Sequence, residues 1–162
     1  MGQADTTVMN ATRDRILHAL RLAESEDSNG VTAQTLRLLK CAMNDRDVAA
    51  RGRGDCGGCE ETEIESLLGV MVNQRQVSAR ELDDAGRVLE AEREREEIEI
   101  ISQFLPEALA GDALDEAVKE VVSDLNAAKL KDMGRCMSAL RKRYPGRIEC
   151  GSAGKAVRAA LG

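Results

Sequence analysis

The sequence predicts an all-α protein in two parts, a set of long helices followed by three short ones. Three observations lead there. Apolar residues recur at intervals of three and four, Val and Ile never form the alternating runs of a half-buried strand, and proline occurs twice in 162 residues. With one Phe, one Tyr and no Trp, the core must be built from Leu, Ile, Val, Met and Ala on helix faces.

Each element has its own signal. Thr12 or Asp14 opens a first helix with Ile16, Leu17, Leu20 and Ala23 on one face, and the small polar run from Ser25 to Gly30 closes it. Thr32 is the expected N-cap of a second helix, whose buried stripe of Leu36, Leu39, Met43 and Ala50 continues through Asn44-Asp45-Arg46-Asp47. A glycine-rich break spans Arg51 to Cys59. Thr62 with Glu65 has the spacing of a capping box for a third helix carrying Ile64, Leu67, Leu68, Met71 and Val72, and Gly86 stops it. A charged helix follows from Arg87 to Gln103. Pro106 disfavours helix at the residue before it. We therefore place a domain boundary there, with residues 1–104 as an N-terminal helical domain, residues 105–162 as a C-terminal three-helix domain, and Phe104 as a hydrophobic anchor between them. The three short helices are Asp112 to Asn126, Asp132 to Tyr144 with Met133, Met137 and Leu140, and Ser152 to Leu161, the last two separated by the turn Tyr144-Pro145-Gly146.

Charge is segregated along this plan. Residues 126–162 hold nine Lys/Arg against two acids, whereas residues 60–125 hold six against nineteen, so a net charge of −6 conceals a basic end. Clustered cations attract polyanions by releasing condensed counterions, without reading sequence. Single-strand readers stack bases on aromatic rings, of which this chain has only Phe104 and Tyr144, so binding to structured RNA through backbone and shape is the expected mode. The candidate RNA-binding residues are Lys131, Arg135, Arg141, Lys142, Arg143, Arg147, Lys155 and Arg158, with Arg135, Lys142 and Arg147 projecting to one side and Lys131 and Lys155 near helix starts.

Other chemistry finds little support. Gly52-Arg53-Gly54-Asp55-Cys56-Gly57 spells GxGxxG, but it follows a helix and has no βαβ unit around it. Cys56-Gly57-Gly58-Cys59 has CxxC spacing without a second ligand pair, so neither a metal nor another cofactor is expected. His18, the one histidine, has no Ser or Cys near it in sequence, and no catalytic residue is assigned. Five cysteines read as free thiols. The start, Met1-Gly2-Gln3-Ala4-Asp5, has neither a charged n-region nor an apolar h-region, and Gly2 with Thr6 has only the loosest myristoylation spacing. No stretch approaches a membrane span, and a cytoplasmic protein is expected.

A family resemblance runs from about Leu36 to the C-terminus. Gln74-Arg75, Ser78-Ala79, Ala85-Gly86-Arg87, Glu97-Ile98, Ile100-Ile101, Leu105-Pro106, Lys131-Asp132-Met133-Gly134, Met137 and Gly146-Arg147 occur in the order and spacing of the GatB/YqeY family. That family comprises the helical tail of the B subunit of the tRNA-dependent aspartyl/glutamyl amidotransferase and stand-alone proteins similar to this chain. The resemblance implies a helical part joined to three C-terminal helices, an accessory role at tRNA, and amidotransferase subunits or a synthetase as alternative partners. Its label, carbon-nitrogen ligase with glutamine as amido-N-donor, belongs to domains that this chain lacks. Asn73 stands where the family often has Lys, and Phe104 where it has Tyr. Lys129 replaces a capping Ser and Glu149 a frequent Asp, each change expected to weaken a helix start by roughly 0.5 to 2 kcal/mol.

Overall fold

The computed structural model describes residues 11–162, and the leader and myristoylation readings lie outside them. Among the described residues there are seven α-helices and no strand. The first, α1 (Thr12–Glu26), buries Ile16, Leu20 and Ala23 against α2 (Val31–Gly52), which buries Leu36, Leu39, Met43 and Ala50. Next, α3 (Glu61–Asp84) turns at Gly86 and packs along α4 (Val88–Ser102). Arg75 Nε meets a Glu97 carboxylate oxygen at 2.9 Å, Arg93 adds to the same carboxylate, and Arg95 pairs with Asp83. The charged α4 thus spends its arginines on α3, on its own acids and on Gln34 of α2.

The short helices are α5 (Gly111–Asp124), α6 (Met133–Arg143, entered through a 3₁₀ turn at Leu130–Asp132) and α7 (Cys150–Leu161). They pack on one another around Leu114, Val118, Val121, Leu140 and Val157. A separate apolar cluster gathers Ile16, Leu36, Leu39, Ile64, Leu68 and Ile101 from the first four helices.

Several local expectations shift. Gly30, not Thr32, precedes α2, because Asp27 organises the turn: its carboxylate accepts the Asn29 amide at 3.0 Å and its carbonyl accepts the Gly30 amide at 3.1 Å. The box at α3 begins two residues earlier, the Glu60 amide donating to the Glu63 carboxylate at 3.0 Å, while Glu61 reaches back to the Thr12 amide. Phe104 packs wholly in the first cluster, with Arg15 stacked 5.6 Å from its ring centre, so it anchors the first four helices rather than joining two parts. Met137 is buried and Met133 half-buried in the second cluster, so both methionines pack inward. The two suspect helix starts are well capped. Glu149 accepts the Gly151 and Ser152 amides at 2.8 and 2.7 Å, and Asp132, three residues beyond Lys129, accepts the Ala128 and Lys129 amides at 3.2 Å.

Asp47 is the larger surprise. The residue is 9% exposed, and its carboxylate grips the Arg13 guanidinium through two bonds of 2.8 and 2.7 Å and accepts the Cys59 amide at 3.0 Å. One side chain thereby ties α1 and α2 to the end of the glycine loop that feeds α3. Gly58, at φ +89, lies so close that a methyl group there would meet an Asp47 oxygen at 2.7 Å.

The Arg13 bonds, then the Cys59 amide, hold the Asp47 carboxyl well below the usual carboxylate range. A carboxyl depressed on folding stabilises above its unfolded pKa of about 4 and ceases to as pH falls toward the folded value. Asp47→Asn should therefore cost about 2 to 3 kcal/mol in urea melts at neutral pH. The wild-type advantage should shrink in melts below about pH 4; an advantage that persists unchanged into strong acid contradicts this role for the carboxylate.

Candidate nucleic-acid interface

The basic end meets the first four helices at a glycine. Gly146, at φ +68, lies in the turn between α6 and α7 and presses on α3, where a methyl group would meet the Glu65 carbonyl oxygen and Leu105 Cδ2, each at 3.0 Å. Gly69 stands opposite, where a methyl group would lie 3.5 Å from the Gly146 Cα. The chain is stitched at the same place: Leu109 donates its amide to the Arg147 carbonyl at 2.8 Å, and Arg147 Nε donates to the Glu107 carbonyl at 3.0 Å.

Two depressions flank this contact. A cleft of about 430 Å³ runs between the outer face of α3, with Gly69, Asn73, Val77 and Arg80, and Arg141, Tyr144 and Cys150. A notch of about 390 Å³ adjoins it, and Ser66 and Arg141 line both. Arg141 is held at the divide by a contact of 3.3 Å to Cys150 Sγ.

The eight candidate cations fall into distinct environments. Arg141 and Lys142 are exposed and face the first four helices across the notch. Arg143, next in line, turns the other way onto α5, meeting Asp124 at 2.7 Å and Glu120 at 3.8 Å. Arg135 donates to the Leu125 carbonyl at the end of α5 and lies 3.7 Å from Asp132. With Arg147 on the Glu107 carbonyl, Arg135 and Arg147 do not join Lys142 on one side but secure main-chain oxygens. Lys131, Lys155 and Arg158 are exposed and, among the described residues, have no ion-pair partner. The final turn of α6 has a second reason to be basic, since cations there offset the negative end of the helix dipole. Arg46 of α2, which is not among the eight candidate cations, also lines the notch. Its contribution depends on folding across almost a hundred residues, and no periodicity signals it.

The cysteine loop has a structural place. Cys59 is buried beside Arg13 and Asp47, and burial followed by the Asp47 carboxylate pushes its thiol pKa up. Cys136 is raised by burial too, then by Asp132. No three His, Cys, Asp or Glu side chains among the described residues converge as a metal site, and His18 is exposed on α1.

The architecture thus defines a class: an all-helical protein in which three C-terminal helices, the last two of them basic, are docked through a glycine turn onto a four-helix part. A sequence model of the family described as Yqey-like protein matches residues 9–161, and the chain belongs to that family. No curated protein matches it significantly. The residues that carry the family resemblance meet in space. Arg75 pairs with Glu97, Gly86 ends α3, and Leu105 touches the Gly146 position beside Arg147. Among the described residues, no helix is long and apolar enough to cross a membrane.

Two outcomes test this geometry. Gly146→Ala should lower stability by about 1 to 2 kcal/mol from the left-handed backbone alone, read by thermal unfolding; an unchanged midpoint would show that the turn is not held as described. In native protein, a water-soluble thiol reagent should modify exposed Cys41 and Cys56 at once, and Cys59 and Cys136 only on unfolding. Fast labelling of Cys59, located by peptide mass mapping, would contradict its enclosure by Arg13 and Asp47.

Proposed function

We propose that the chain is an accessory protein that binds tRNA or similarly folded RNA through the backbone phosphates, using the C-terminal helices. The observation that carries this reading is the charge of Arg141, Lys142, Lys155 and Arg158, which have no ion-pair partner among the described residues of an otherwise acidic protein. The lack of aromatic stacking residues favours shape over base readout. Family membership supports an accessory role related to the amidotransferase tail. Residues 1–104 and 105–162 are taken as two domains, because the apolar clusters divide near Leu105. No amide transfer is assigned to the chain: the buried Cys59 has a raised pKa rather than an activated one.

The candidate cations need not contribute equally. Arg143 is already paired with Asp124 and Glu120, so less of its charge is open to phosphate than that of Lys142. A second reading, docking to an amidotransferase subunit or synthetase in a cytoplasmic assembly, is favoured by Val88 and Leu89, which are 54% and 81% exposed at the start of α4. Capture of the same partner after nuclease treatment supports that alternative.

Fluorescence anisotropy with bulk tRNA, against duplex DNA of equal length, tests the RNA proposal. Binding should weaken steeply with salt yet retain a preference for tRNA. Lys142→Glu should weaken it several-fold more than Arg143→Glu. Equal binding to DNA, or no loss on reversing Arg141, Lys142 and Arg143 together, would overturn the proposal.

A further inference from the structure

We infer that the notch between α2, α3 and α6 is a seat for one backbone phosphate of the bound RNA, with Arg46 as its previously unassigned ligand. This deepens the RNA proposal and rests on it. Three cations line the notch, Arg46 from α2 and Arg141 and Lys142 from α6, together with the hydroxyl-bearing residues Thr62, Ser66 and Ser138. Ser138, Arg141 and Lys142 are spaced at three and four, which puts them on one face of α6. Thr62 belongs to the first turn of α3, at the positive end of that helix dipole, which favours an anion.

The notch also contains one acid, and its charge is committed elsewhere. One oxygen of Glu63 accepts from Arg53 at 2.9 Å and the other from the Glu60 amide at 3.0 Å. Among the described residues, neither Arg46 nor Lys142 has an ion-pair partner, and Arg141 contacts only a thiol. Leu67 and Pro145 complete the lining, which offers no aromatic face for a base. Such a site suits a group that only accepts hydrogen bonds and carries charge on several oxygens, as a phosphodiester does. At about 390 Å³ it admits a phosphate with an adjoining sugar. The seat exists only when the Gly146 turn is docked on α3, because its cations come from both sides of that contact.

The test compares full-length wild type with Arg46→Gln and with Arg21→Gln, which removes an equal charge from an exposed α1 position outside the notch. Both variants are first matched to wild type by circular dichroism and melting temperature. With bulk tRNA, Arg46→Gln should lower affinity roughly three- to tenfold and reduce the slope of log affinity against log salt by about one, whereas Arg21→Gln should leave both near wild type. If wild type binds tRNA and the two variants behave alike, the seat is overturned while the wider RNA proposal stands. If wild type does not bind tRNA, that proposal falls and the RNA seat falls with it. An amide-detected titration with pyrophosphate reads the notch independently of RNA. Saturating shifts at Ser66 and Ser138 that Arg46→Gln abolishes support an anion seat; no shifts at those residues count against it.

Discussion

The arrangement of the basic end depends on one close contact, the Gly146 turn against α3. Gly146 takes a left-handed backbone with the Glu65 carbonyl and Leu105 beside it, so the turn approaches α3 more closely than any side chain would permit. That approach sets Arg141 and Lys142 across from Arg46 and the hydroxyls of α3. It also buries Glu65 in part, and burial raises its carboxyl pKa against the lowering influence of Arg147. Main-chain bonds from Leu109 and to Glu107 hold the incoming chain in register with the turn.

A second device makes α3 a firm platform. The buried Asp47 carboxylate fixes Arg13 of α1 and the Cys59 amide just ahead of α3, and the Arg75–Glu97 pair locks α3 to α4 along its length. Both pairs are largely enclosed, and an enclosed pair is costly to break once formed. The exposed pairs of α4, such as Arg93 with Glu97, add little by comparison.

Much of the fold was legible in the sequence because helix periodicity is local. Leu36, Leu39, Met43, Ile64, Leu68 and Leu140 all lie in the core where their spacing put them, and Pro106 precedes the three short helices as expected. Capping was less legible, because several polar residues compete at each start and the turn geometry decides among them: Asp27 selects Gly30, and Glu60 with Glu63 displaces Thr62 with Glu65. The site was legible only as a list of cations. Which of them are free is a tertiary fact: Arg143 and Arg135 meet α5, Arg147 meets Glu107, and Arg46 joins the notch from a helix far away in sequence. The role of Asp47 was hidden for the same reason, since its partners Arg13 and Cys59 stand 34 and 12 residues off.

The central claim is that one composite surface, made from both sides of the Gly146 contact, meets the RNA. Hydrogen exchange of the full chain with and without bulk tRNA addresses it most directly. The account predicts simultaneous protection in peptides covering Arg46, Thr62 to Ser66 and Ser138 to Gly146, with α4 unchanged. Protection confined to α7, or appearing on the acidic face of α4, would contradict it.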